Sequence, residues 1–209
     1  MIGVSNPISS TAEAAGIYNF ISRQCTPTCT NWYGTVKIEA NGDWESCAGQ
    51  NLANPGHPAC NGGASGSISS FSAGRAALIY GGVSVGSMLV FKDPAGQKVI
   101  LIDLNGGSIH GKGAVFAASQ QLPASADGRW TYLHTDGTNG TAVVAGANVT
   151  DSGVFGNGRT YSSNGSFVRD QPWAGFATTS GNSVILPAGS GLFVSYFSAN
   201  SSMGVGVRR

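Results

Sequence analysis

The chain has 209 residues, of which only 10% are charged, against about 25% in an average soluble domain. A net charge of +1 excludes a nucleic-acid binder that works through a basic surface; the 41% hydrophobic share excludes charge-driven disorder, and no apolar run reaches the roughly 18 residues of a membrane helix. Three glutamates are too few for a helical bundle, whereas 32 Gly, 26 Ser, 14 Asn and 13 Thr suit a turn-rich, mainly β protein of one or two domains.

Met1–Ser10 has neither a basic n-region nor an apolar h-region, so no signal peptide is expected there. Residues 10–23 predict the one good helix. Ser10 and Glu13 have capping-box spacing, and Ala14, Ile17, Tyr18 and Ile21 recur at helical intervals. Arg23 suits the helix end, and Thr26-Pro27 stops it.

Strand and turn signals take over from Asn31. Asn41-Gly42 centres a hairpin, and a three-residue turn pairing Ala40 with Trp44 gathers Val36, Ile38, Ala40, Trp44 and Ala48 on one apolar face. Ala48–Ser70 is rich in Gly, Asn and Pro and predicts a long loop. Met88–Lys92, the turn Asp93-Pro94-Ala95-Gly96 and Gln97–Ile102 form the clearest hairpin. Its runs are apolar on successive residues, which predicts cover on both faces. Ser183–Leu186, Pro187-Ala188-Gly189-Ser190 and Leu192–Phe197 form a similar one. Further strands are expected near 76–80, 114–118, 129–134, 141–145 and 166–169. The expected fold is mainly β, with antiparallel sandwich or jelly-roll-like sheets and one short N-terminal helix. The expected division is an N-terminal segment 1–30, a β unit 31–112 carrying loop 48–70 and a second β unit 113–209, or a single domain 31–209.

Three short matches keep the same order along the chain. Ala40–Trp44 resembles Ala126–Trp130, Ser70-Phe71 recurs as Ser166-Phe167, and Pro94-Ala95-Gly96 recurs as Pro187-Ala188-Gly189. Two related β units would account for them, although a Gly/Ser/Ala-rich chain yields short matches easily.

Cys25, Cys29, Cys47 and Cys60 crowd one stretch and leave the remaining 149 residues without cysteine. An even count beside a long loop predicts disulfides, hence an oxidising location, with three connectivities open. A zinc site adding His57 fits less well, because Cys47 lacks the near neighbour of a zinc ribbon. No metal and no cofactor are expected.

Gly82-Val83-Ser84-Val85-Gly86 matches a serine-hydrolase elbow, with His110 or His134 and Asp103 or Asp136 available as partners. An elbow needs a following helix, and Ser87–Phe91 reads as strand, so the hydrolase is a remote alternative. Asp151-Ser152-Gly153 matches half of an aspartic-protease pair, and a turn is the plainer reading. No catalytic residue is expected.

Trp32, Trp130, Tyr132 and Trp173 are candidate platforms for a glycan or a protein partner, since sugars take flat rings beside amides and hydroxyls. Trp173, between Pro172 and Ala174 outside any clear strand, leads this set; Trp44 falls on the core face. Few charges, many Gly/Ser/Asn/Thr turns and short apolar hairpins together resemble bacteriophage virion proteins of the tail, fibre or decoration type. The resemblance implies a non-enzymatic, homo-oligomeric protein in contact with other structural proteins and with a host surface, located in the virion or extracellularly. A secreted, disulfide-stapled adhesin, pilus-associated protein or carbohydrate-binding module is the alternative.

Overall fold

The computed structural model describes residues 6–53, 63–105, 111–180, 183–189, 191–197 and 202–209. The chain divides into two compact units, Met1–Ser119 and Gln120–Arg209. The boundary falls at 119/120, not at 112/113, because Lys112–Ser119 is the closing strand of the first unit.

In the first unit, β1 (Asn6–Pro7) and the short helix α1 (Thr11–Ala14) precede β2 (Gly16–Thr26), β3 (Thr28–Ile38), β4 (Asp43–Ala48) and β5 (Ala64–Ile68). There follow β6 (Arg75–Tyr80), β7 (Val83–Lys92), β8 (Lys98–Asn105) and β9 (Lys112–Ser119). Each strand from β2 to β9 pairs antiparallel with the next, and β9 returns to pair with β2. The result is a closed eight-stranded barrel, not a sandwich or jelly roll. Closure removes the exposed edges that an open sheet would leave.

The helix expected over 10–23 is four residues long. Its start was legible: the Glu13 amide donates to Ser10 Oγ at 3.1 Å. The chain then extends at Ala15 and Gly16 and continues as β2. Tyr18 and Phe20 face the barrel interior, while Asn19 and Ile21 are buried on its outer face. A strand buried on both faces carries apolar residues at every spacing, so its sequence mimics a helical stripe. Residues 1–30 are therefore no separate segment.

The N-terminal segment closes one end of this barrel. Ile8 is fully buried in a core with Tyr18, Trp44, Met88, Val90 and Ile100. Its amide donates to the Val90 carbonyl, Lys92 Nζ bonds Glu13 at 2.8 Å, and Lys98 Nζ donates to the Ala15 carbonyl.

The Asn41-Gly42 hairpin has a three-residue loop, one position earlier than expected. Ile38 opposes Trp44, Glu39 N donates to the Asp43 carbonyl, and Gly42 takes the left-handed conformation (φ 94°) that such a loop requires at its third residue. Val36, Ile38 and Trp44 do share the inner face. The Asp93–Gly96 turn forms as expected, with Gly96 N donating to the Asp93 carbonyl and Lys92 opposite Lys98. The expected loop 48–70 contains β5, whose Ser65–Ser67 pair with Asp43–Glu45. Cys25 and Cys29 face each other across the β2–β3 hairpin and form a disulfide. Cys47 is buried and disulfide-bonded; Cys60 and His57 lie outside the described residues.

The second unit runs β10 (Gly128–His134), β11 (Asn139–Ala145), β12 (Asn148–Val154), β13 (Thr160–Arg169) and β14 (Ala177–Thr179). It continues through β15 (Ser183–Pro187), β16 (Leu192–Phe197) and β17 (Ser202–Arg208), which pairs back onto β10. This is a second closed eight-stranded barrel. The Pro-Ala-Gly turns link the sixth and seventh strands in both barrels. Trp44, however, lies on the third strand of its barrel and Trp130 on the first of its own, so that match is not equivalent in position.

Candidate functional site

An eight-stranded barrel has an interior just wide enough to be filled by side chains or to hold one small ligand. The two units illustrate both outcomes. The first is packed with Phe20, Trp44, Met88 and Ile100, leaving about 120 Å³. The second encloses a cavity of about 390 Å³.

Alternation along the strands decides which side chains enter it. From β10 come Trp130, Tyr132 and His134; from β12, Val149 and Asp151; from β13, Tyr161, Ser163 and Phe167; from β16, Phe193, Ser195 and Phe197. Small residues on the strands between make room for the large ones. A Cβ on Gly206 would overlap the Phe193 ring, one on Gly140 would lie 2.7 Å from Tyr132 Oη, and one on Gly204 would lie 2.6 Å from Ser195 Oγ.

The cavity is graded along the barrel axis. One end is apolar: Trp130, Val144, Phe167 and Ala177 form a core, with Ile185 and Phe193 against it. The segment before β10 lies across this end, where Pro123 and Ala126 line the cavity. Trp130 Nε1 donates to the Ala126 carbonyl at 2.9 Å. Arg169 donates to the Pro123 carbonyl, and the Arg208 guanidinium lies 5.9 Å over the Trp130 ring.

The opposite end is polar and ringed by aromatics. Tyr132 Oη donates to Asp151 Oδ1 and shares a hydrogen bond with Tyr161 Oη. Tyr161 stacks on Phe155 with centroids 4.5 Å apart. His134 meets Tyr132 and Phe197 edge-on at 5.3 and 6.0 Å, and its Nδ1 is 3.2 Å from Ser202 Oγ. Ser195 also lines this cavity, and its Oγ is fully buried with no hydrogen-bond partner among the described residues.

Burial governs the protonation states here. It pushes the Asp151 carboxyl above the usual carboxylate range, against the opposing pull of Tyr132 and His134. It pushes the Tyr132 phenol up, reinforced by Asp151 and Tyr161, and pushes the His134 imidazole down. For Asp136 burial works upward too, but the Thr138 backbone and side chain together with His134 hold its carboxyl below the ordinary value. Among the described residues, no group of His, Cys, Asp and Glu side chains could hold a metal ion.

The structure separates the residues singled out from sequence. Trp130 and Tyr132 are 4% and 7% exposed and face the cavity, not the outer surface. Trp173 is half-buried, edge-on to Phe176 at 5.4 Å. Trp32 is 48% exposed, with its Nε1 donating to Thr30 Oγ1. Ser84 sits within β7 opposite Ile79, with strand and no helix after it, so no nucleophile elbow forms. Of its proposed partners, Asp103 is on β8, His134 and Asp136 belong to the other unit, and His110 lies outside the described residues. Asp151-Ser152-Gly153 is the middle of β12, not a turn. Sequence reasoning missed Asp151, Tyr161 and Ser195 as cavity residues. The available signal was alternation, since Tyr161, Ser163, Gly165 and Phe167 share one face.

No family model and no curated protein matches the sequence. A solved structure from Nostoc punctiforme, a protein of unknown function from the DUF3598 family, aligns over 93% of this chain and 96% of its own, at 12% identity and a TM-score of 0.28.

Proposed function

We propose that the protein binds a small molecule without turning it over, and that the interior of the second barrel is the binding compartment. The observation that carries this reading is the cavity of about 390 Å³, apolar around Trp130 and Phe167 and polar around Tyr132, His134 and Asp151. A cavity of about 150 Å³ accepts benzene, so this one has room for an arylalkyl chain with a polar head. An apolar end and a few convergent polar groups are what small-molecule sites present.

The virion and adhesin readings rest on composition and turn content. A pair of up-and-down barrels needs the same small polar residues to turn the chain at every strand end, so that composition serves a binding protein equally well.

Calorimetric titration with 4-phenylbutan-1-ol, a neutral amphiphile of suitable size, tests the compartment. Saturable one-site binding is expected. Ala142→Leu fills the cavity wall beside Trp130 and is expected to weaken binding about tenfold or more, with the circular dichroism of the barrel retained. Equal binding by wild type and Ala142→Leu would place the ligand elsewhere and sink the proposal.

A further inference from the structure

We propose that the compartment is built for a hydrophobic organic cation: an aryl- or alkylamine whose ammonium group sits at the Asp136–Asp151 end and whose apolar body lies against Trp130 and Phe167. This inference rests on the reading of the second barrel as a binding compartment.

Charge is the first argument. Asp136 and Asp151 both line the cavity, and no Lys or Arg does so among the described residues. Arg208 lies over Trp130 at the apolar end and donates to the Asp127 carbonyl. Among the described residues His134 is the one basic group lining the cavity, and burial favours its neutral form. Asp136 is exposed and held below the ordinary carboxylate value, so a carboxylate ligand at this end would meet like charge with no Lys or Arg on the cavity wall to compensate it.

Shape and hydrogen bonding agree with this. An ammonium has three donors and no acceptor, and this end offers it the two carboxylates of Asp136 and Asp151. Ser195 is 4% exposed, and no protein group among the described residues satisfies its hydroxyl. The rings around the polar end, Tyr132, Phe155, Tyr161 and Phe197, present the π faces and edges from which cages for organic cations are made. Phe155 and Tyr161 stack on one another at this end.

Three ligands of one carbon skeleton separate the possibilities. Calorimetry at pH 7 compares 4-phenylbutylamine, 4-phenylbutan-1-ol and 4-phenylbutyrate with wild type, Asp136→Asn and Asp151→Asn. The amine is expected to bind about tenfold or more tighter than the alcohol, with the carboxylate weakest. Each Asn variant keeps an acceptor oxygen and should bring the amine to within about threefold of the alcohol. Circular dichroism of each variant reports that the barrel is still folded, and the readout is the ratio of amine to alcohol affinity within each variant. An amine no tighter than the alcohol, or a tighter carboxylate, overturns the cation assignment while leaving the compartment standing. A preference retained in both Asn variants overturns the role of the two carboxylates. Failure of all three ligands to bind wild type overturns the compartment as well.

Discussion

Gly204 lies directly opposite His134 in the β10–β17 ladder, and a Cβ on it would sit 2.5 Å from the imidazole Nε2. The same Cβ would come 2.6 Å from Ser195 Oγ, on the neighbouring strand. The glycine is therefore the gap through which two polar side chains converge on the cavity. Gly204→Ala should displace the His134 ring and cost about 1–3 kcal/mol, the usual range for overpacking. Urea denaturation measures this. A change below about 0.5 kcal/mol would mean that the ring moves freely and that its position is not fixed by packing.

The buried His134 should make stability depend on pH with a definite sign. Burial lowers its folded-state pKa below the ordinary value of about 6.5. In the window between the two values the unfolded chain holds more protons, so its contribution to stability is complete above about pH 6.5. It diminishes as pH falls from there toward the folded-state pKa. Asp136 and Asp151, which face the ring, moderate the shift without reversing it. Wild type should therefore lose more stability than His134→Gln between pH 7.5 and 5.5, read as the shift in urea midpoint. A larger loss in the variant would reverse the sign and refute the assignment.

Ile8 precedes every barrel strand in sequence, yet it is fully buried in the core of the first barrel with Val90 and Tyr18. Ile8→Ala should cost about 2–5 kcal/mol, as a buried large-to-small change does. Thr11→Ala, at the exposed side of the same segment, loses one hydrogen bond to the Ala40 carbonyl and should cost about 0.5–1.5 kcal/mol. Comparable losses for the two in urea titrations would show that the segment rests on the barrel without completing its core.

Much of the second barrel was legible from local signals. β10, β11, the β15–β16 hairpin and the end of β13 follow from apolar runs bounded by Gly, Pro and Asn, because turn chemistry acts within a few residues. The errors arose where burial on both sides erased periodicity. β2 carries Tyr18, Phe20 and Ile21 close together, and that pattern satisfies a helix and a doubly buried strand alike. β12 was obscured for the opposite reason: Asp151-Ser152-Gly153 has turn composition, yet it lies between two partner strands that satisfy its backbone.

By itself, the sequence determined that the chain is β, antiparallel and turn-rich, and where its sharpest turns fall. Those properties are set by dihedral preferences and by the period-2 alternation of neighbouring side chains. The tertiary structure decided that the strands close into two barrels, that one interior leaves about 120 Å³ and the other about 390 Å³, and that Tyr132, Asp151 and Tyr161 meet at one end of the larger cavity. Closure depends on the pairing of β2 with β9 and of β10 with β17, and the cavity depends on glycines opposite large side chains. Both are contacts between residues far apart in the chain, and no local pattern encodes them.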